Sequence, residues 1–316
     1  MAKSNPNEHQ SFPRRKFLGL AASLPLATSI SSLASGQNKK HQMSRSRLPR
    51  SSSTIGKIGL GTYRTFDVRL TAESQTRLSS VLRTLFENGG SCIDSSPMYG
   101  QAESVVGQLT TKLKLNSRMF LATKVWTEGE SLGLRQIKES MSLLKRRQVE
   151  LYQIHNLVDW KTQFKTLRNL QEKGIIRYIG ITHYTPSAFD DIIRVMKREK
   201  IDFIQIPYSI VTTQAESKIL PLAFEKGIGV IPNQTFEQGR LFKLVKGRAL
   251  PPMVDANDIS SWAQLFLKYV LSHPSVTCVI PGTSKVKHVK DNIRAGYGSY
   301  FNPGEIVKIR KIIQSI

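Results

Sequence analysis

The stretch Ser91-Cys92-Ile93-Asp94-Ser95-Ser96-Pro97-Met98-Tyr99-Gly100, followed by the helical pattern from Ala102 to Leu113, decides the fold. A short apolar run ends on a carboxylate, a turn carries a tyrosine, and a helix takes the chain away. The unit returns downstream. Met119 to Thr123 runs into Lys124, with helical Leu132 to Arg147 behind it; Val149 to Ile154 runs into His155, with Trp160 to Lys173, ended by Gly174, behind it. Strand, loop and helix repeating in one order predict an α/β fold, a parallel (β/α)8 TIM barrel.

The flanking sequence keeps the period. Thr71 is placed to cap a helix in which Leu78, Val81, Leu82 and Leu85 recur at three- and four-residue intervals before Gly89-Gly90 stops it. Pro186 to Lys200 reads as a helix with Thr185 as cap and Pro186 in its first turn, and Lys218 to Lys226 as one closed by Gly227. Strands around Arg177 to Ile181, Phe203 to Ile206, Ile228 to Ile231 and Thr277 to Ile280 complete eight. In such a barrel the working face is the carboxyl end of the strands. Asp94, Lys124, His155, Thr182, His183, Gln205, Asn233 and Thr283 all fall there.

Four of these side-chain types make a proton-donating set when they converge. A tyrosine hydroxyl is a poor acid at neutral pH; a nearby ammonium favours its phenolate, and a carboxylate orients the ammonium and keeps it charged. Tyr99 is the expected acid, Lys124 its activator and Asp94 the brace, while His155 hydrogen-bonds a substrate carbonyl. Each residue alone has a blander reading, as a turn aspartate, a solvated lysine or a core histidine.

The segments IGLGTYRT (Ile58 to Thr65), Asp94-Ser95-Ser96-Pro97-Met98-Tyr99-Gly100, TKVW (Thr123 to Trp126), YQIHN (Tyr152 to Asn156), IGITHY (Ile179 to Tyr184), QIPYS (Gln205 to Ser209) and IPGTSK (Ile280 to Lys285), in that order, resemble the aldo-keto reductase superfamily. The resemblance covers about residues 54 to 298 and implies a nicotinamide-dependent oxidoreductase. It implies that Thr182, His183 and Gln205 hold the nicotinamide carboxamide, with Thr62, Tyr63 and Asp94 near the ring. Asn233, Gln234, Thr235 and Phe236 would follow at the seventh strand end. Gly282, Thr283, Ser284 and Lys285 would take phosphate at a helix N-terminus. His288 stands where relatives carry an arginine for the 2′-phosphate, and Asp291 and Asn292 where they meet adenine. NADP(H) is expected over NAD(H), because Lys285 and Lys287 add charge. Tyr63, Trp126, His155 and Asn156 line the substrate pocket, which short loops after strands four and seven leave open and shallow. No metal is expected. Three positions depart from the pattern: His183 replaces an asparagine, Asn233 stands where an aromatic ring often stacks, and His288 replaces an arginine. The first two weaken the nicotinamide contacts and so favour a rival reading, a cofactor-binding redox-sensing or interaction protein with little or no turnover.

At 316 residues, 40% hydrophobic, the chain suffices for one such domain, placed at residues 54–316. Its two cysteines, Cys92 and Cys278, lie in expected core strands and read as small packing residues. Lys plus Arg outnumber Asp plus Glu by 46 to 23, a net charge of +23. The excess favours acidic partners. Because clusters such as Lys145-Arg146-Arg147 and Lys197-Arg198 lack interleaved aromatics, the main reading is solvated helix faces, with no specific nucleic acid and at most weak contact with an anionic membrane.

Residues 1–34 resemble a twin-arginine export signal: Arg14-Arg15-Lys16-Phe17-Leu18, an apolar stretch from Gly19 to Ile30, and a cleavage site after Ala34. The apolar part is too short for a comfortable membrane span. This implies the twin-arginine machinery as a partner and a periplasmic protein, tethered instead if the signal is uncleaved. Residues 35–53, rich in Ser, Lys and Arg, read as a disordered basic linker.

Overall fold

A computed structural model describes residues 42–252 and 258–316. The expected export signal lies outside them. Part of the expected linker lies inside, and there the expectation of disorder is wrong. Strand β1 (Arg45–Arg47) pairs antiparallel with β2 (Thr54–Gly56), Ser46 opposite Ile55. Met43, Leu48 and Ile55 are buried, and Leu48 and Ile55 pack with Cys92, Phe120, Ala122, Leu151, Tyr178, Phe203, Ile231 and Cys278. These are inward residues from the barrel strands, several from their first positions, so the hairpin closes the floor of the barrel. Its basic residues stay outside the plug: Arg45 bonds Thr54, and Arg50 reaches the buried Asp202, whose other oxygen accepts the Ile179 N–H at 2.9 Å.

Above the floor, β3 (Leu60–Gly61), β4 (Cys92–Asp94), β5 (Phe120–Val125), β6 (Val149–His155), β7 (Ile176–Thr182), β8 (Phe203–Pro207) and β9 (Gly229–Asn233) form one parallel sheet in sequence order. The expected eighth strand is a pair of single bridges, Ile58 with Val279 and Val230 with Val276. Backbone bonds from Gly59 N–H to the Val279 carbonyl (2.8 Å) and from Thr277 N–H to the Val230 carbonyl (2.8 Å) carry the ring across the gap. Gly59 makes the closure possible: a Cβ there would lie 2.7 Å from Cys92 Cβ and 3.2 Å from Cys278 Sγ. Both cysteines are buried and free.

The helices cover the outside. Thr71 caps Ala72–Glu87 in a reciprocal capping box with Ser74, and Leu78, Val81, Leu82 and Leu85 are buried. Burying each leucine contributes about 1.5–3 kcal/mol. The helix expected from Leu132 to Arg147 runs from Glu130 to Leu143, and Lys145 beyond its end takes φ 54°. At Pro186 the chain first makes a 3₁₀ turn, then the helix Phe189–Arg198; Thr185 hydrogen-bonds His183 Nδ1 and Ser187 instead of capping. The last helix, Pro303–Gln314, is tied in through Arg310, whose Nη2 donates to both oxygens of Glu216 at 2.8 and 2.6 Å, with Tyr208 and Tyr269 on the same carboxylate. Among the described residues no helix is long and apolar enough to cross a membrane.

Candidate active site

Asp94 ends β4 and is buried, an arrangement that needs compensation for a carboxylate. Three side chains supply it. Lys124 Nζ from β5 donates to Asp94 Oδ2 at 2.8 Å, and Gln205 and Gln153 donate Nε2 to Oδ1 at 2.9 and 3.3 Å. Lys124, itself 0% exposed, also donates to the Ser95 carbonyl at 2.7 Å. Its ammonium lies 4.9 Å from the centre of the Tyr99 ring. The expected cluster is therefore assembled.

The electrostatics refine the expectation. Burial opposes the charge on Lys124, yet Asp94 and Tyr99 outweigh it and hold its pKa above the usual lysine value. Burial also pushes the Tyr99 phenol up, and the attraction of Lys124 offsets only part of that. The expected downward tuning of Tyr99 is present but outweighed: the phenol stays protonated. His155 falls to about 3, through burial first and then Lys124 and His183, so its imidazole is neutral. Its Nδ1 lies 3.3 Å from Ser96 Oγ, and its ring meets that of Tyr99 edge-on at 6.2 Å.

Two carboxylates set the turn that presents Tyr99. Asp67 accepts the Gln101 N–H at 2.9 Å, and a side chain at Gly100, φ 55°, would meet that carboxylate. Buried Glu103 accepts the Thr123 hydroxyl at 2.5 Å, tying the helix behind Tyr99 to the strand of Lys124. Neither was singled out by the sequence, nor was Gln153. For Gln153 a signal existed: it stands two residues before His155, on the same face of β6.

Around this cluster lie the remaining expected residues. The Thr62 hydroxyl donates to the Asp94 carbonyl at 2.9 Å. Tyr63, 52% exposed, packs on Tyr99 with ring centres 5.0 Å apart. Gln136 grips Trp126 by both backbone groups (2.6 and 3.2 Å), leaving the indole at the surface. Asn156 and Leu157, beyond β6, take φ 53° and 57°. Thr182 donates to Gln205 Oε1 at 3.4 Å, so the Gln205 amide is engaged within the protein at both ends. His183 stacks on Tyr184, and its Nδ1 accepts the Thr185 N–H at 3.2 Å. That fixes Nε2 as the protonated nitrogen of the neutral ring. Asn233 and Gln234 donate to the carbonyls of His183 and Tyr184 at 3.0 and 2.8 Å. Gln153 Oε1, Asn156 Oδ1 and Asn233 Oδ1 are buried without hydrogen-bond partners, three orphaned acceptors at or near the carboxyl ends of β6 and β9.

Beyond Asn233, Thr235 is buried and Phe236 packs on Phe242 at 4.9 Å. The phosphate end is only partly as expected. Gly282 lies against the Gly61 carbonyl; Thr283 accepts the Lys285 N–H at 3.1 Å and meets His288 Nδ1 at 3.2 Å. Ser284 precedes Lys285, which stands at the N-cap position of the helix Val286–Arg294 without a side-chain capping bond. Burial, then Lys285 and Lys287, keep His288 below the usual histidine value. Asp291, expected at adenine, accepts Ser261 Oγ at 2.8 Å and Gln264 Nε2 at 2.5 Å and so anchors the start of helix Trp262–Leu271; Asn292 is buried beside it. No group of metal-ligating side chains occurs among the described residues.

The family model of the aldo/keto reductase family matches residues 57–314. An uncharacterized oxidoreductase of Schizosaccharomyces pombe is 28% identical over 257 residues, covering 76% of this chain and 81% of that one. The methylglyoxal reductase DkgB of Escherichia coli O157:H7 is 25% identical over 248 residues, covering 76% and 87%. A crystal structure of an aldo/keto reductase from Klebsiella pneumoniae in complex with NADP and acetate superposes with a TM-score of 0.72 at 25% identity, over 87% of this chain and 95% of that one. With its barrel, its strand-end cluster and a family match over most of its length, the chain belongs to the aldo/keto reductase family.

Proposed function

We propose that the protein is an NADP-dependent reductase or dehydrogenase interconverting a small aldehyde, ketone or sugar carbonyl with its alcohol. The observation that carries this reading is the Lys124 ammonium, held 2.8 Å from Asp94 and 4.9 Å from the Tyr99 ring centre in a buried setting. Support comes also from relatives named as oxidoreductases and from structural neighbours solved with NADP or NADPH.

When bound, NADPH supplies the hydride, from nicotinamide C4 to the carbonyl carbon. The protein manages the proton. Tyr99 gives its phenolic proton to the oxygen as the C–H bond forms, and solvent later restores it. Lys124 stabilises the phenolate left behind, and Asp94, gripped by Gln153 and Gln205, holds the ammonium in place. Neutral His155 orients the carbonyl oxygen. The orphaned Asn233 oxygen, the Gly61–Gly282 apposition and the backbone and hydroxyls of Thr283 and Ser284 fit a dinucleotide. Lys285 and Lys287 favour the 2′-phosphate form. The test is a titration with NADPH and NADH, then a stopped-flow chase with aldehydes and ketones. Tight NADPH binding and many turnovers are expected. One slow turnover points instead to a redox sensor, the outcome that the engaged amide of Gln205 favours.

We propose further that residues 1–34 export the folded protein through the twin-arginine route. Fractionation of cells expressing the chain and its Arg14→Lys, Arg15→Lys form tests this, with loss of the periplasmic pool expected in the double variant.

A further inference from the structure

Beside the Tyr99–Lys124 cluster stands a cation the mechanism does not use. Arg64 is the tip of the tight turn that leaves β3, where the Thr65 and Phe66 N–H groups fold back on the Thr62 carbonyl at 3.2 and 3.0 Å. Its backbone sits at φ 60°, a region an arginine occupies only at a cost. Buried Phe66 anchors the turn from behind. Arg64 itself is exposed, and its guanidinium lies over the Tyr63 ring at 5.0 Å from the centre. Tyr63 in turn lies 5.0 Å from Tyr99. Two short aromatic steps thus separate a guanidinium from the phenol. Asp67, the nearest carboxylate in sequence, accepts the Gln101 N–H, and no ion pair to Arg64 occurs among the described residues. The histidine rings at the mouth, His155 and His183, are held neutral, so the positive charge beside Tyr99 rests on Arg64 and the Asp94-bound Lys124.

We propose that Arg64 is a substrate-recognition residue and that the preferred substrate is a carbonyl compound with an anionic group, a carboxylate or a phosphate, one short chain or one ring away from the carbonyl. This deepens the reductase reading and rests on it. With the carbonyl at Tyr99, the body of the substrate lies along Tyr63 and its anionic end meets the guanidinium, whose planar fork suits two oxygens at once. Stacking on Tyr63 restricts the guanidinium before substrate arrives, which lowers the entropy lost on binding. The net charge of +23 adds a long-range pull on anions.

The experiment compares benzaldehyde with 4-carboxybenzaldehyde, and butanal with succinic semialdehyde, with NADPH and wild-type, Arg64→Gln, Arg64→Lys and Tyr99→Phe proteins. Wild type is expected to prefer the carboxylate partner of each pair. Arg64→Gln should lower that preference by about fivefold to tenfold, through KM rather than kcat, as loss of a charge-assisted contact at an exposed site would. Arg64→Lys should keep part of it, and added salt, about 0.5 M, should erode it in wild type. A preference equal in wild type and Arg64→Gln, or none in wild type, overturns the proposal. Turnover of none of the four aldehydes by any of the proteins would remove the reductase reading instead. Calorimetric titration of wild type and Arg64→Gln with 4-carboxybenzaldehyde then still decides the role of Arg64: equal affinities overturn it, and weaker binding by the variant upholds it.

Discussion

The two ends of this barrel are built on opposite terms. At the floor, Leu48 and Ile55 fill the space between Cys92, Phe120, Tyr178, Phe203 and Cys278, and glycine at position 59 lets the wall close. At the mouth, polar side chains are buried, acceptors on Gln153, Asn156 and Asn233 go unpartnered, and Arg64, Asn156, Leu157, Gln234, Glu237 and Gln238 take positive φ. The floor holds the shape; the mouth spends part of that stability on geometry that packing alone would not choose. Changes at the floor should therefore lower stability and spare chemistry, and changes at the mouth should do the reverse wherever no buried charge is stranded.

Lys124→Met should break this division most severely. It removes the phenol's partner and strands Asp94 as a buried carboxylate, so kcat should fall by about 10²–10⁴ and stability by about 3–5 kcal/mol. Steady-state assay and urea unfolding would read both. Tyr99→Phe, which strands no charge, should lose comparable turnover while NADPH affinity and the unfolding midpoint hold; retained kcat would take Tyr99 out of the acid role. At the floor, Leu48→Ala should cost about 2–5 kcal/mol in unfolding with kcat unchanged. A fall in kcat instead would show that the two ends communicate. Gly59→Ala should cost about 1–3 kcal/mol by overpacking, because its Cβ meets Cys92.

The smallest effect at neutral pH concerns titration. Reduction needs Tyr99 protonated and His155 neutral. Since the phenol is raised above its usual value and His155 lies at about 3, kcat for reduction should stay level from about pH 5 to 9 and fall only as the phenol ionises at still higher pH. Alcohol oxidation, which needs the phenolate, should rise over that alkaline range. A reduction limb near the ordinary histidine value, about pH 6.5, would mean that His155 titrates in the working enzyme.

Much of the mouth was legible because strand ends mark it: an apolar run that stops on Asp94, Lys124 or His155 states its own direction. The first helix was equally plain, Thr71 supplying the cap and four buried leucine or valine positions the face, while the reciprocal bond from Ser74 emerged only in the folded chain. The hairpin was not legible. Three-residue strands have too few alternations to show a buried face, and Arg45, Arg47 and Arg50 carry the composition of a solvated tail although Met43 and Leu48 are inside. The eighth strand was read as continuous over Thr277 to Ile280 because that run is mostly apolar; two single bridges close the ring there. Partner choice was the other blind spot. Nothing local tells whether Gln205 faces a ligand or Asp94, or that Asp291 holds Ser261 and Gln264, since those contacts join residues far apart in the chain.

The meeting of Ile58 with Val279 also governs how this molecule comes into being. The two partners stand far apart in the sequence, so the ring stays open until the ribosome has made the chain through Val279. Until then β3 and β9 are bare edges, ready to pair with another chain. A nascent molecule is thus exposed to aggregation while those edges wait for Val279, and a chaperone that shields those edges should raise the yield of closed barrels more than one that merely slows unfolding.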